Sequence, residues 1–307
     1  MAWKKLGKVF SPDNQNLPGL THAALPVPFH ISDNIYRIFF ASRDKRNYSS
    51  VYSMDIELNG ENWNIIDLPS SPLLEPGPAG YFDDCGVYAS SIVQHDDLLY
   101  LYYIGWSTGG TAPMFYANVG LAISSDRGKT FKKFSAAPIC GRDHIDPWMM
   151  TAPYVMKLDD KFLMWYVGGE RWDVTASPWE SYYSLKFAES PDGVSWIKTN
   201  QVCLPLKPGE KNISRTCVLP KKRGYECWYG CNFGDGYRIG YAKSLDGKSW
   251  HRRDSEAGIT VSKRGWDSES ISYPFLITEK GRRYMFYNGN GFGKTGFGLA
   301  VESGQCP

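Results

Sequence analysis

Four ionisable side chains recur at nearly equal intervals: His22, Asp84, Asp146 and Glu269. Adding 63 to 22 gives 85, beside Asp84, and adding 63 to 84 gives 147, beside Asp146. Subtracting 58 and 63 from 269 gives 148, again beside Asp146. Carboxylates that converge on one opening perturb one another's pKa values, which is how acid and base roles become separated. A histidine among them, with its reference pKa near 6.5, adds a proton carrier. The plainer reading of any one of these aspartates is a turn residue at a strand start. Asp83 competes with Asp84, and Asp143 with Asp146, because loop registers shift by a residue or more. The same four residues contain the donor types of a divalent-metal site. Their spacing does not favour one, and no cofactor is expected.

A second set has binding chemistry. Arg43, Asp44, Trp106, Arg171, Trp172 and Asn290 fall at the ends of apolar-aromatic segments, and Arg215 falls where the fourth interval would place a ring member. Arg43, Arg171 and Arg215 suit a carboxylate or a phosphate. Two long stretches, 107–117 and 171–183, contain Phe115, Tyr116, Trp172, Trp179, Tyr182 and Tyr183. Aromatic rings there can stack on the C–H faces of a sugar, although packing is the commoner job for each ring singly.

The elements that position these residues are repeats. An apolar-aromatic segment recurs around Phe40, Tyr103, Tyr166, Tyr229 and Tyr287, at spacings of 63, 63, 63 and 58. Each is flanked by two further strand-like runs, and four are followed by a turn and a fourth run. The turns SSDRGKTF, SPDGVSW and SLDGKSW read as hairpins. Asp126, Asp192 and Asp246 in them are therefore structural, on the face away from the ionisable ring. Four antiparallel strands repeated five times describe an all-β, five-bladed β-propeller. The fifth repeat lacks its fourth strand, and AWKKLGKVF at 2–10 resembles the missing piece. The N-terminal strand is thus expected to close the ring, making residues 1–307 a single domain.

Composition agrees. The 307 residues include 46 aromatics (11 Trp, 20 Tyr and 15 Phe) and 31 Gly, as expected for short strands joined by tight turns. A net charge of +2 and no basic run beyond Lys221-Lys222-Arg223 argue against nucleic acid as a partner. No apolar stretch approaches the length of a membrane span, and the N-terminus does not read as a secretory signal. Seven cysteines without metal-site spacing read as reduced, mostly buried thiols of a cytoplasmic protein. GNGFGKTG at 289–296 lies between two strands, so it reads as a hairpin loop and not as a phosphate loop.

The five repeats, the segment IDPWMMTAPYVM at 145–156 and the Asp-Gly hairpins resemble the five-bladed glycoside hydrolase superfamily of arabinanases, β-xylosidases, invertases, levansucrases and mannoside phosphorylases. FDDCGVYASSIV, RGWDSESISYPF and YMFYNGNGFGKTGFGLAV are similar to uncharacterised members associated with bacterial surface-polysaccharide gene clusters. The resemblance implies a glycosidase-like enzyme and a sugar-containing partner. Asp146 with Pro147 matches the superfamily's Asp-Pro position. His22 stands where its blade-one acid would be, and Arg215 where a Glu is often found. An inverting mechanism would then use Glu269 as acid and Asp84 as base, about 6.5–9.5 Å apart, with Asp146 in support. The alternatives are a non-catalytic carbohydrate-binding propeller and a transferase or phosphorylase of surface-polysaccharide biosynthesis. The oligomeric state is not legible.

Overall fold

The computed structural model describes residues 2–14, 19–68, 70–111, 114–176 and 179–304. The chain is nearly all β. Its strands form one four-stranded sheet and two eight-stranded sheets, and each eight-stranded sheet consists of two antiparallel runs of four. In the first run Ala24–Ser32, Ile35–Arg43, Ser49–Asn59 and Asn62–Asp67 pair in that order. Gly86–His95, Leu98–Thr108, Phe115–Ser124 and the short Lys132–Lys133 form the second. Met150–Lys157, Phe162–Asp173, Glu180–Ser190 and Ile197–Leu204 form the third. Asn212–Pro220, Tyr225–Asn232, Tyr237–Ser244 and His251–Arg252 form the fourth. The four-stranded sheet contains Ser272–Glu279, Arg282–Asn288 and Phe297–Glu302, and Trp3–Phe10 from the other end of the sequence pairs antiparallel with Phe297–Glu302.

The fourth strand is the least buried of each run. Asn212–Pro220, a first strand, is buried from Asn212 to Val218. Phe162–Asp173, a second strand, is buried from Phe162 to Gly169. Ile197–Leu204, a fourth strand, is largely exposed. Burial of the second strands on both faces explains why they read as continuous apolar-aromatic runs. The repeating anchors Phe40, Tyr103, Tyr166, Tyr229 and Tyr287 all lie in second strands, and none is exposed. First strands touch in sequence: Ala24–Ser32 packs on Gly86–His95, which packs on Met150–Lys157, then Asn212–Pro220, then Ser272–Glu279, which returns to Ala24–Ser32.

Near its start, each first strand breaks register against its second strand. In three of them a non-glycine residue at positive φ, Leu25 (53°), Ala152 (49°) or Tyr273 (53°), precedes Pro26, Pro153 or Pro274. Positive φ is costly for such side chains, and the following proline cannot donate to the ladder, so these bulges re-aim the chain at one end of the strands. In the fourth run the equivalent break contains Ser214 and Arg215.

Asp126, Asp192 and Asp246 are turn residues. Asp246 Oδ1 accepts the backbone N–H groups of Lys248 and Ser249, each at 2.8 Å, and the Ser244 hydroxyl. Asp192 and Asp126 repeat the pattern. The Ser249 and Lys248 N–H groups hold the Asp246 carboxyl below its ordinary value. A depressed carboxyl pKa contributes stability above the unfolded value near 3.9, and that contribution disappears as pH falls through the folded value. Asp246→Ala is therefore expected to cost about 1 kcal/mol at pH 7, with the difference from wild type shrinking below about pH 4. Urea unfolding at the two pH values measures it.

Candidate ligand-binding site

A cavity of about 490 Å³ opens where the first strands carry their register breaks. That volume suits a small ligand. Its wall contains seven aromatic side chains (Tyr48, Tyr88, Trp106, Phe115, Tyr183, Tyr273 and Phe292) and three arginines (Arg43, Arg46 and Arg215). Among the described residues lining it there is no carboxylate.

Arg215 is 0% exposed. Its Nη2 donates to the carbonyls of Pro26 (3.0 Å) and Tyr273, and its guanidinium lies 5.4 Å from the Phe275 ring. Nε and Nη1 are buried without a hydrogen-bond partner among the described residues. Burial lowers its pKa to about 9, so the group is still charged at pH 7. An uncompensated buried cation costs several kcal/mol, which a fold retains only where something offsets it.

Arg43 ends the strand Ile35–Arg43. Its Nη1 donates to Asn47 Oδ1 (3.0 Å), its guanidinium lies 5.8 Å from the Tyr88 ring, and its Nε is buried without a partner among the described residues. Asp44 does not line the cavity. Its carboxylate accepts the N–H groups of Arg46 (2.8 Å) and Tyr48 (2.9 Å) and so shapes the loop that brings Arg46 and Tyr48 to the wall. Trp106 donates from Nε1 to Ser49 Oγ (2.9 Å), and a Cβ at Gly86 would collide with both groups. Glycine at 86 thus permits the close approach that seats Trp106 in the wall. Tyr183 shares a hydroxyl contact of 2.7 Å with Tyr237.

Of the sequence-predicted residues, Arg43, Trp106, Phe115, Tyr183 and Arg215 meet in this cavity. Trp172 stands behind it, edge-on to Phe115 at 5.5 Å, and the exposed Arg171 lies 3.8 Å over the Tyr182 ring. Asn290 is a loop clamp: its Oδ1 accepts the N–H groups of Glu269 (2.9 Å) and Ser270 (3.1 Å). His22 lies beside the cavity with Nδ1 2.7 Å from Thr21 Oγ1. Burial, then Arg43 and Lys294, lower its pKa to about 4, so it is neutral at pH 7.

The expected carboxylate trio is not assembled in the cavity. Asp146 is 0% exposed and accepts Tyr166 Oη (2.8 Å), Lys186 Nζ (2.9 Å) and Lys198 Nζ (3.0 Å). Asp83 likewise accepts Tyr103 Oη (3.1 Å) and Lys133 Nζ (2.6 Å), and Asp267 accepts Tyr287 Oη (3.1 Å) and Lys5 Nζ (2.6 Å). In all three the aspartate precedes its tyrosine by 20 residues. These are repeated internal braces, and both Asp146 oxygens accept hydrogen bonds within one. The true counterparts of Asp146 are therefore Asp83 and Asp267, one and two residues from the expected Asp84 and Glu269. Asp84 is half-buried and accepts the Gly80 N–H (2.8 Å), and Glu269 is exposed. Neither lines the cavity. The four ring residues do not form a metal centre; no group of three or more His, Cys, Asp or Glu able to hold an ion exists among the described residues.

Nothing in the sequence marks Tyr48, Tyr88 and Tyr273 as wall residues, because there they are indistinguishable from packing aromatics. The described cysteines are all free and buried, while Cys306 lies outside the described residues. No described helix is long and apolar enough to cross a membrane.

The whole chain has the fold of glycoside hydrolase-like proteins. It is similar to a glycoside hydrolase of known structure (16% identical, covering 97% of this chain and 90% of that one, TM-score 0.75). It is also similar to the β-1,2-mannobiose phosphorylase of Listeria innocua (11%, 98% and 95%, TM-score 0.70) and to the GH32 β-fructofuranosidase BmSUC1 of Bombyx mori (14%, 93% and 61%, TM-score 0.62). At these identities the likeness establishes the fold alone. No protein-family model matches the chain. The chain belongs to the family of two uncharacterized proteins of Mycobacterium tuberculosis, MT1551 and Rv1502. They are 39% and 38% identical to it over 302 residues, covering 98% of this chain and 99% of each of theirs.

Two outcomes check the assignments. Asp146→Ala, which strands the buried Lys186 and leaves Lys198 with Asp143 and the Gly141 carbonyl, is expected to lose about 3 kcal/mol in denaturant unfolding. A folded-state pKa below the unfolded one means that His22 contributes stability above about pH 6.5, lost as pH falls towards 4. His22→Gln should therefore lose less stability than wild type across that window, and NMR titration of wild type should give a His22 midpoint near 4.

Proposed function

We propose that the chain is a five-bladed β-propeller of one domain, 1–307, which takes a sugar-containing ligand in the cavity at the starts of its first strands. The cyclic contacts of the first strands and the pairing of Trp3–Phe10 with the last strand support a ring closed by the N-terminal strand. The shared fold supports placing it with the arabinanase- and invertase-like superfamily. The observation that carries the ligand class is the wall itself, which combines seven aromatic rings with three arginines. Aromatic faces suit the C–H faces of sugar rings, and arginines suit their oxygens. Six buried free thiols favour a reducing, cytoplasmic setting.

The absence of a carboxylate from the described lining favours recognition without hydrolysis by Asp84, Asp146 and Glu269. The second reading, a glycosidase, glycosyl transferase or phosphorylase acting on a bacterial glycan or its precursor, is favoured by the enzymes that share the fold. Screening the wild type against a bacterial glycan array is expected to reveal binding. Phe115→Ala, which removes one wall ring, should weaken it by roughly tenfold. Incubation of the bound glycan with and without phosphate separates the readings. An unchanged glycan supports the binding module. Released sugar that falls at least a hundredfold in Asp84→Asn or Glu269→Gln would restore the hydrolase.

A further inference from the structure

We propose that the ligand carries a carboxylate or phosphate group and that Arg215, together with Arg43, receives it. The inference rests on the sugar-binding reading and adds a charge to the ligand class.

Arg215 occupies the place that Pro26, Pro153 and Pro274 occupy in three other first strands. Packing at this position is thus satisfied by a small ring without charge, and the repeat gives no structural reason for a guanidinium. The side chain is wholly buried, and its hydrogen bonds to described residues go only to two backbone carbonyls, both through Nη2. Two further nitrogens have no partner there. A guanidinium does not escape this situation by losing its proton near neutral pH. No carboxylate among the described lining residues supplies the countercharge.

Arg43 shares the wall and also has a buried nitrogen without a described partner. Both guanidiniums lie close enough to Tyr273 to pull its hydroxyl pKa down against the larger effect of burial, which places the two charges in one neighbourhood. Asp44, next to Arg43 in sequence, is committed to Arg46 and the loop backbone. A planar cation with spare N–H groups matches the oxygens of a carboxylate or a phosphate. The aromatic wall leaves room for the rest of an acidic or phosphorylated sugar.

The test is thermal unfolding of the full chain at constant ionic strength with four probes: glucose, glucuronate, glucose 6-phosphate and inorganic phosphate. The anionic sugars are expected to raise Tm at concentrations at least tenfold lower than glucose requires, and whichever acts lower identifies carboxylate or phosphate. Arg215→Met, which removes the charge together with the donor to the Pro26 and Tyr273 carbonyls, should still unfold cooperatively and should lose that tenfold preference. Arg215→Lys, which retains charge without the planar fork, should need roughly tenfold more of the same probes. A Met variant that unfolds or responds as wild type overturns the inference, as does an unshifted Lys variant. Equal responses to glucose and to both anionic sugars overturn it while leaving the sugar-binding reading intact. A response to inorganic phosphate that neither sugar exceeds retains the anion site and sinks the sugar. No response to any probe overturns the inference.

Discussion

Asp83, Asp146 and Asp267 organise the runs that contain them. Each begins in the loop before a first strand, takes the hydroxyl of a second-strand tyrosine, and takes the ammonium of a lysine from the fourth strand. One carboxylate thus ties together strands that are not neighbours in the ladder. Removing a carboxylate and an ammonium from water is expensive, and their attraction offsets this only when geometry and extra hydrogen bonds are good. The tyrosine hydroxyl supplies such a bond and stays protonated, since burial and the adjacent aspartate push its pKa up. Close approach is also required: a Cβ at Gly168 would strike Asp146 and Lys186, and one at Gly105 would strike Asp83. The fourth run solves the problem differently. Tyr229 bonds to Asp254, while Arg252 holds Glu210 with both terminal nitrogens. The first run has Phe40 as its anchor and Leu20 in the place of the aspartate, so it dispenses with both polar groups at once.

This interaction explains what is and is not legible in the sequence. The strand bodies, the turns and the pairing of the N-terminal strand follow from periodic apolar segments and from Asp and Gly at turn positions. The ionisable ring follows the same period, and that period marks packing as well as chemistry. Reading the ring from rough register selects Asp84 and Glu269, whereas counting back 20 residues from Tyr103, Tyr166 and Tyr287 selects Asp83, Asp146 and Asp267 (from Tyr229 it reaches Gly209). The constraint is present as a spacing between two residue types, but its meaning depends on a hydrogen bond that sequence does not display. Arg215 is the converse case. It is legible as a departure from a repeat, an arginine where three of its four counterparts are proline, and no carboxylate among its described surroundings answers the charge. Tyr48, Tyr88 and Tyr273 carry no such mark; the Asp44 loop brings Tyr48 to the wall, and the starts of two first strands bring Tyr88 and Tyr273.

The runs differ in how they are joined. Ser49 meets Gly86 and Tyr183 meets Asn212 in single parallel pairs, and these pairs merge four of the runs into the two eight-stranded sheets. Both seams lie beside the cavity: Trp106 reaches Ser49 from its wall, and Tyr183 belongs to seam and wall together. A guest seated among Arg43, Trp106, Tyr183, Arg215 and Tyr273 would touch all five strand systems beside these seams. It would therefore act as a non-covalent rivet. Occupancy would slow the separation of neighbouring runs, and the mechanical cohesion of the assembly would become a property shared between the chain and its guest.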